Sequence, residues 1–223
     1  MGFGLLFIGA CLLLPTCFGY FYTAPLSAVL MAFALRRLAK VNTPFGYAMY
    51  GAWALLPVSL AEIVLRTIGL ENPAAILGGV GYLVLLMLWV LAFTGMEWVA
   101  AETKEQKLRG KAVRQKVFSA IYLILLSPLN FIVGVALPEG AIRLLSGLSV
   151  ALMWVGLVVM VMNITTIYTA YMRICMPEDL DMAVKPSRFA FINHFREARA
   201  AREGERAAVQ REVDKLRQKK KKK

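Results

Sequence analysis

The sequence predicts an all-α fold: a polytopic transmembrane helical bundle of about five spans, with a cytoplasmic amphipathic basic C-terminal helix. Three observations carry this reading. The chain has 223 residues, 59% of them hydrophobic, and a mean hydropathy of +0.61, whereas soluble domains hold roughly 45–50% apolar residues. The excess is clustered, for Met1 to Leu35 contains no charged residue, and several runs reach the roughly 20 apolar residues that cross a bilayer. The runs are continuous rather than alternating. That selects helices over barrel strands, the other backbone whose polar groups lipid tolerates.

Composition divides the chain into a transmembrane helical domain, residues 1–176, and a basic cytoplasmic tail, residues 177–223, helical from about 187. The first span is expected at about 3–22, with Pro15 as a kink because proline lacks a backbone donor and crowds the preceding turn. Its start lacks a charged leader and a clear cleavage site, so it is expected to stay on the protein. Residues 25–38 form a short apolar helix ending in Arg36, Arg37 and Lys40, read as interfacial, tilted or a short sixth span. The next span, about 44–69, opens on VNTP, where Asn42 or Thr43 caps and Pro44 fits the first turn. ENP, residues 71–73, opens the span at about 74–96 in the same way. Spans at about 117–137 and 141–173 follow, the last longer than a bilayer requires.

Lys and Arg in short loops set orientation. The loop at Arg36, Arg37 and Lys40 is basic. So is the loop with Lys104, Lys107, Arg109, Lys111, Arg114 and Lys116, while the connections near Glu71 and Glu139 carry only Arg66 and Arg143. Five spans with the amino terminus outside and the carboxyl terminus inside satisfy every loop, and a sixth span moves only the amino terminus. The bacterial inner membrane is the expected location.

The sequence offers little for catalysis. It has no GxGxxG, GxxxxGK[ST], HExxH or GxSxG. His194 is the single histidine, and Cys11, Cys17 and Cys175 form no CxxC pair. No enzyme, metal or cofactor is therefore expected. The sharpest intramembrane feature is Glu62 with Arg66 inside SLAEIVLRTIGL, residues 59–70. A spacing of four stacks them on one helix face, in the favourable order of acid before base. The pair is read first as self-compensated and facing other helices. Read as a site for an ion or polar solute, it joins Pro57, Pro128 and Asn130, because prolines free backbone carbonyls and broken helices build midplane sites.

The tail carries the most distinctive polar sequence. From Pro177 on it holds fourteen basic and eight acidic residues. Phe189, Ile192 and Phe195 recur at helical spacing beside Arg196, and the chain ends in Lys219, Lys220, Lys221, Lys222 and Lys223. An apolar stripe with flanking cations suits the headgroup region of an anionic inner leaflet, or a protein partner through the same helix. The interspersed acids argue against nucleic acid. The expected function is thus a non-enzymatic accessory, scaffolding or sensory subunit. The alternative is a small transporter or channel, a homo-oligomer because five spans enclose little space.

Overall fold

The computed structural model describes residues 2–132 and 139–174. Every regular element among them is helical: α1 (Gly2–Leu12), a short 3-10 helix (Leu14–Phe18), α2 (Ala24–Leu38), α3 (Thr43–Thr67), α4 (Glu71–Glu102), α5 (Gln106–Ile132) and α6 (Glu139–Arg173). Four of these are long and apolar enough to cross a membrane: α3, α4, α5 and residues Arg143–Met172 of α6.

The sequence predicts one helix over 3–22, but the structure breaks it. The α-helix stops at Leu12, the chain tightens into the 3-10 turn around Pro15, and Gly19 adopts φ +75°. That left-handed conformation suits glycine, which has no Cβ to clash. The chain then reverses into α2, which packs antiparallel along α1. Ser27 Oγ donates to the Gly9 carbonyl at 2.6 Å and Thr23 Oγ1 donates to the Leu12 carbonyl at 2.5 Å. At the far end of this hairpin a Cβ on Gly2 would meet Leu38 at 3.0 Å. Small residues make the approach possible, for Ala24, Ser27, Ala28, Ala32 and Ala34 are all buried. Helix α2 is therefore a packed element rather than an amphipathic helix on the interface, and its polar groups lie at its two ends.

The hairpin also places the amino terminus. Phe3 packs edge-on to Phe45 at the start of α3, and Gly4 approaches Tyr171 near the end of α6. A Cβ on Gly95 of α4 would meet Phe45 at 2.8 Å. The starts of α1 and α3 and the ends of α2, α4 and α6 thus share one end of the bundle. The basic residues of the 36–40 and 104–116 stretches belong to that end. The amino terminus accordingly lies at the same end as the Arg36–Lys40 loop. The five-span reading of the sequence places them at opposite ends because it counts the hairpin as a single crossing, whereas its six-span alternative puts the amino terminus at this end.

The long helices follow their local signals. Asn42 occupies the N-cap position of α3 with Pro44 in its first turn, although its side chain makes no capping bond. Gly69, at φ +85°, ends α3, with its N–H on the Arg66 carbonyl and the Leu70 N–H on the Leu65 carbonyl. Helix α5 starts at Gln106 and includes the basic stretch that sequence reading left as a loop. Leu108, Ala112, Gln115 and Ser119 recur at helical spacing and are buried. Glu97 of α4 accepts from Lys116 of α5 at 2.7 Å and ties the two helices. One core runs through the unit Met1–Met176, with Trp89 and Phe93 stacked in it.

Candidate functional site

The candidate site lies at the end of the bundle opposite the basic loops, where α3, α4 and the tip of the hairpin meet. Helical rise stacks Glu62 and Arg66 on one face of α3, and the side chains close on each other. Arg66 Nε donates to Glu62 Oε1 at 3.0 Å, and its second guanidinium nitrogen lies 2.9 Å from the same oxygen. That nitrogen also donates to the Gly19 carbonyl at 3.3 Å. The arginine therefore links α3 to the tip of the α1–α2 hairpin.

The two partners differ in exposure. The Glu62 side chain is 0% exposed, while that of Arg66 is 37% exposed. A buried charge is tolerated only when paired, and the guanidinium pairs it while reaching outward. Space for the carboxylate comes from α4. A Cβ on Gly78 would stand 3.5 Å from Glu62 Oε1 and 3.7 Å from Oε2. Glu62 Oε2 is buried and has no hydrogen-bond partner among the described residues.

The other residues of the predicted constellation do not join the pair. Pro57 and Pro128 are both exposed on their helices. Asn130 is half-buried and donates to the Leu126 carbonyl of its own helix at 3.2 Å. Ser127, beside Pro128, turns inward and donates to the Gly79 carbonyl at 3.2 Å. The GGVG stretch, residues 78–81, serves three neighbours. Gly78 faces Glu62, Gly79 faces Phe131 of α5, and Gly81 faces Phe21. The tail positions Phe189, Ile192, Phe195, Arg196 and Lys219, Lys220, Lys221, Lys222 and Lys223 lie outside the described residues, as does Cys175.

Deeper in the bundle is a second polar cluster. Asn163 of α6 and Ser119 of α5 bond reciprocally at 2.9 and 3.0 Å. Thr165, Thr166 and Thr169 instead donate to carbonyls of α6 itself. Tyr82 of α4 donates to the Thr16 carbonyl at 2.8 Å. Tyr122 of α5 packs against Gly156 of α6, and its hydroxyl has no partner among the described residues. Thr16, Tyr82, Ser119, Tyr122 and Asn163 line a cavity of about 10 Å³. A helical spacing of four and three among Gln115, Ser119 and Tyr122 was the available signal, but it lies across the boundary between basic and apolar sequence.

Among the described residues no three of His, Cys, Asp and Glu gather as a metal-ligand set. Comparison of the chain with protein-family models, curated proteins and solved structures gives no match.

Proposed function

We propose that the protein is a non-enzymatic accessory, scaffolding or sensory subunit of a membrane, working through its basic end. The observation that supports this is the distribution of exposed cations. Arg36, Arg37, Lys104, Lys107, Arg109, Lys111 and Arg114 are exposed at one end of the bundle, against Arg66 and Arg143 at the other. Positively charged short loops stay in the cytoplasm, so this end faces inward and brings the amino terminus with it. Arg173 closes α6 at this same end, near the start of α1. The sequence from Pro177 on adds fourteen basic residues to the chain's cationic content. Each basic residue near an anionic leaflet contributes about 1 kcal/mol, which makes the inner membrane surface, or an acidic partner held there, the natural ligand.

The test is purification from native membranes in mild detergent of the intact chain and of a chain ending at Pro186, followed by native mass spectrometry. The intact chain should retain anionic phospholipid or a partner protein at a fixed ratio, and the shortened chain should lose it. Two chains that emerge with identical company would reject the tail as the working part.

A further inference from the structure

A line of buried polar groups runs from Glu62 toward the basic end, and a role at the membrane surface makes no use of it. Gly78, against the Glu62 carboxylate, and Tyr82 share one face of α4, about 6 Å apart along the axis. Tyr82 and Tyr122 line the small cavity together with Ser119 and Asn163. Tyr122, Ser119 and Gln115 then descend one face of α5 over about 10 Å. Gln115 adjoins Lys116, whose partner Glu97 is 20% exposed at the basic end.

Polar groups buried within a span are costly unless paired. Along this line three polar atoms lack a partner among the described residues: Glu62 Oε2, Tyr122 Oη and Gln115 Oε1. They mark the beginning, the middle and the end of the line. The cavity beside Tyr122 measures about 10 Å³, close to the smallest space that holds one water. That volume excludes a hydrated ion or an organic solute and leaves the proton as the species that fits.

We propose that this line is a proton path, entered at Glu62 and carried past Tyr122 by water in the cavity. A proton arrives on Glu62 Oε2, and an equal proton leaves toward Tyr82. Each hydroxyl or water takes one hydrogen on its oxygen and passes its own onward, Tyr82 and Ser119 by turning their hydroxyls from the Thr16 carbonyl and Asn163 Oδ1 toward the cavity. Beyond Ser119 the line ends at Gln115 Oε1, next in sequence to Lys116, whose partner Glu97 is 20% exposed at the basic end. The charged and titratable groups facing this route are Arg66 beside Glu62, Cys17 and the two tyrosines at the cavity, and Glu97 with Lys116. No bond other than those to hydrogen changes, and no co-reactant is needed.

The experiment places the purified full-length chain in liposomes holding a pH-sensitive dye, with a potassium gradient and valinomycin to drive protons inward. Wild-type vesicles should acidify faster than protein-free vesicles. Glu62→Gln and Tyr122→Phe should each slow that flux by about 100-fold, the scale of a lost proton-transfer group. Ser127→Ala, off the line, should leave it unchanged. Tyr122 separates a path from packing. Its hydroxyl bonds to no described group, so packing alone predicts that Tyr122→Phe keeps both melting temperature and flux. A path predicts unchanged melting with lost flux. Wild-type flux equal to that of protein-free vesicles overturns the proposal. So does full flux in Tyr122→Phe, whatever Glu62→Gln does, including failing to fold.

Discussion

Removing the Arg66 side chain while leaving Glu62 in place tests what the ion pair does for the fold. In Arg66→Ala the carboxylate, 0% exposed in the intact protein, loses both guanidinium contacts to Oε1. The link to the Gly19 carbonyl is lost as well. Breaking a fully buried pair costs about 3–5 kcal/mol. Arg66 is 37% exposed, so solvent screens the interaction and water can reach the vacated position. The expected cost falls to about 2 kcal/mol. For a chain of this size that lowers the melting temperature by about 4–8 °C. The assay is thermal unfolding of the wild type and variants in lipid nanodiscs. The double variant Glu62→Gln with Arg66→Ala should recover most of the loss, because a neutral amide needs no counter-charge. A melting temperature for Arg66→Ala within about 1 °C of wild type would refute the reasoning. A double variant no more stable than Arg66→Ala would refute it too.

Other residues give narrower tests. Gly95→Ala puts a methyl group 2.8 Å from the buried Phe45 ring and should cost about 1–3 kcal/mol by overpacking. Phe45→Leu in the same chain should return part of that stability in the nanodisc melt. Ser27→Ala removes the 2.6 Å bond that ties α2 to the Gly9 carbonyl, for an expected loss of about 1 kcal/mol. Proteolysis should then cut first in the α1–α2 hairpin. Lys116→Ala removes a pair whose side chains are 28% and 20% exposed. Its cost should stay at or below about 1 kcal/mol and should shrink with added salt.

The helical class was legible because apolar runs and Pro-containing start signals are local properties of the chain, although α5 begins at Gln106 and not near 117. Helix α3 was expected at about 44–69 and is Thr43–Thr67, and α6 was expected at about 141–173 and is Glu139–Arg173. The contact between Glu62 and Arg66 was legible for the same reason, since a spacing of four fixes it within one helix. The reversal at Gly19 was not. An uncharged stretch of 35 residues reads equally as one long span with a flanking helix or as a hairpin. What decides is the tertiary fit of Ser27 and its small neighbours against Gly9. That choice moved the amino terminus to the other end of the bundle.

The site was legible in part. Pro57 and Pro128 carry a signal only for their own helices, and both side chains face away from the bundle interior. Pairings such as Ser119 with Asn163 join residues 44 apart in sequence, which no periodicity reports.

The most direct single measurement is the sidedness of the amino terminus and of the basic α4–α5 connection. Single cysteines inserted between Met1 and Gly2 or placed at the exposed Lys104, in a chain whose native cysteines are replaced by serine, can be labelled with a membrane-impermeant thiol reagent in sealed right-side-out and inverted vesicles. Both positions should label in inverted vesicles alone, because the hairpin returns the amino terminus to the basic end. Labelling of the amino-terminal cysteine from the outside with position 104 labelled from the inside would contradict the fold and the inward basic face together.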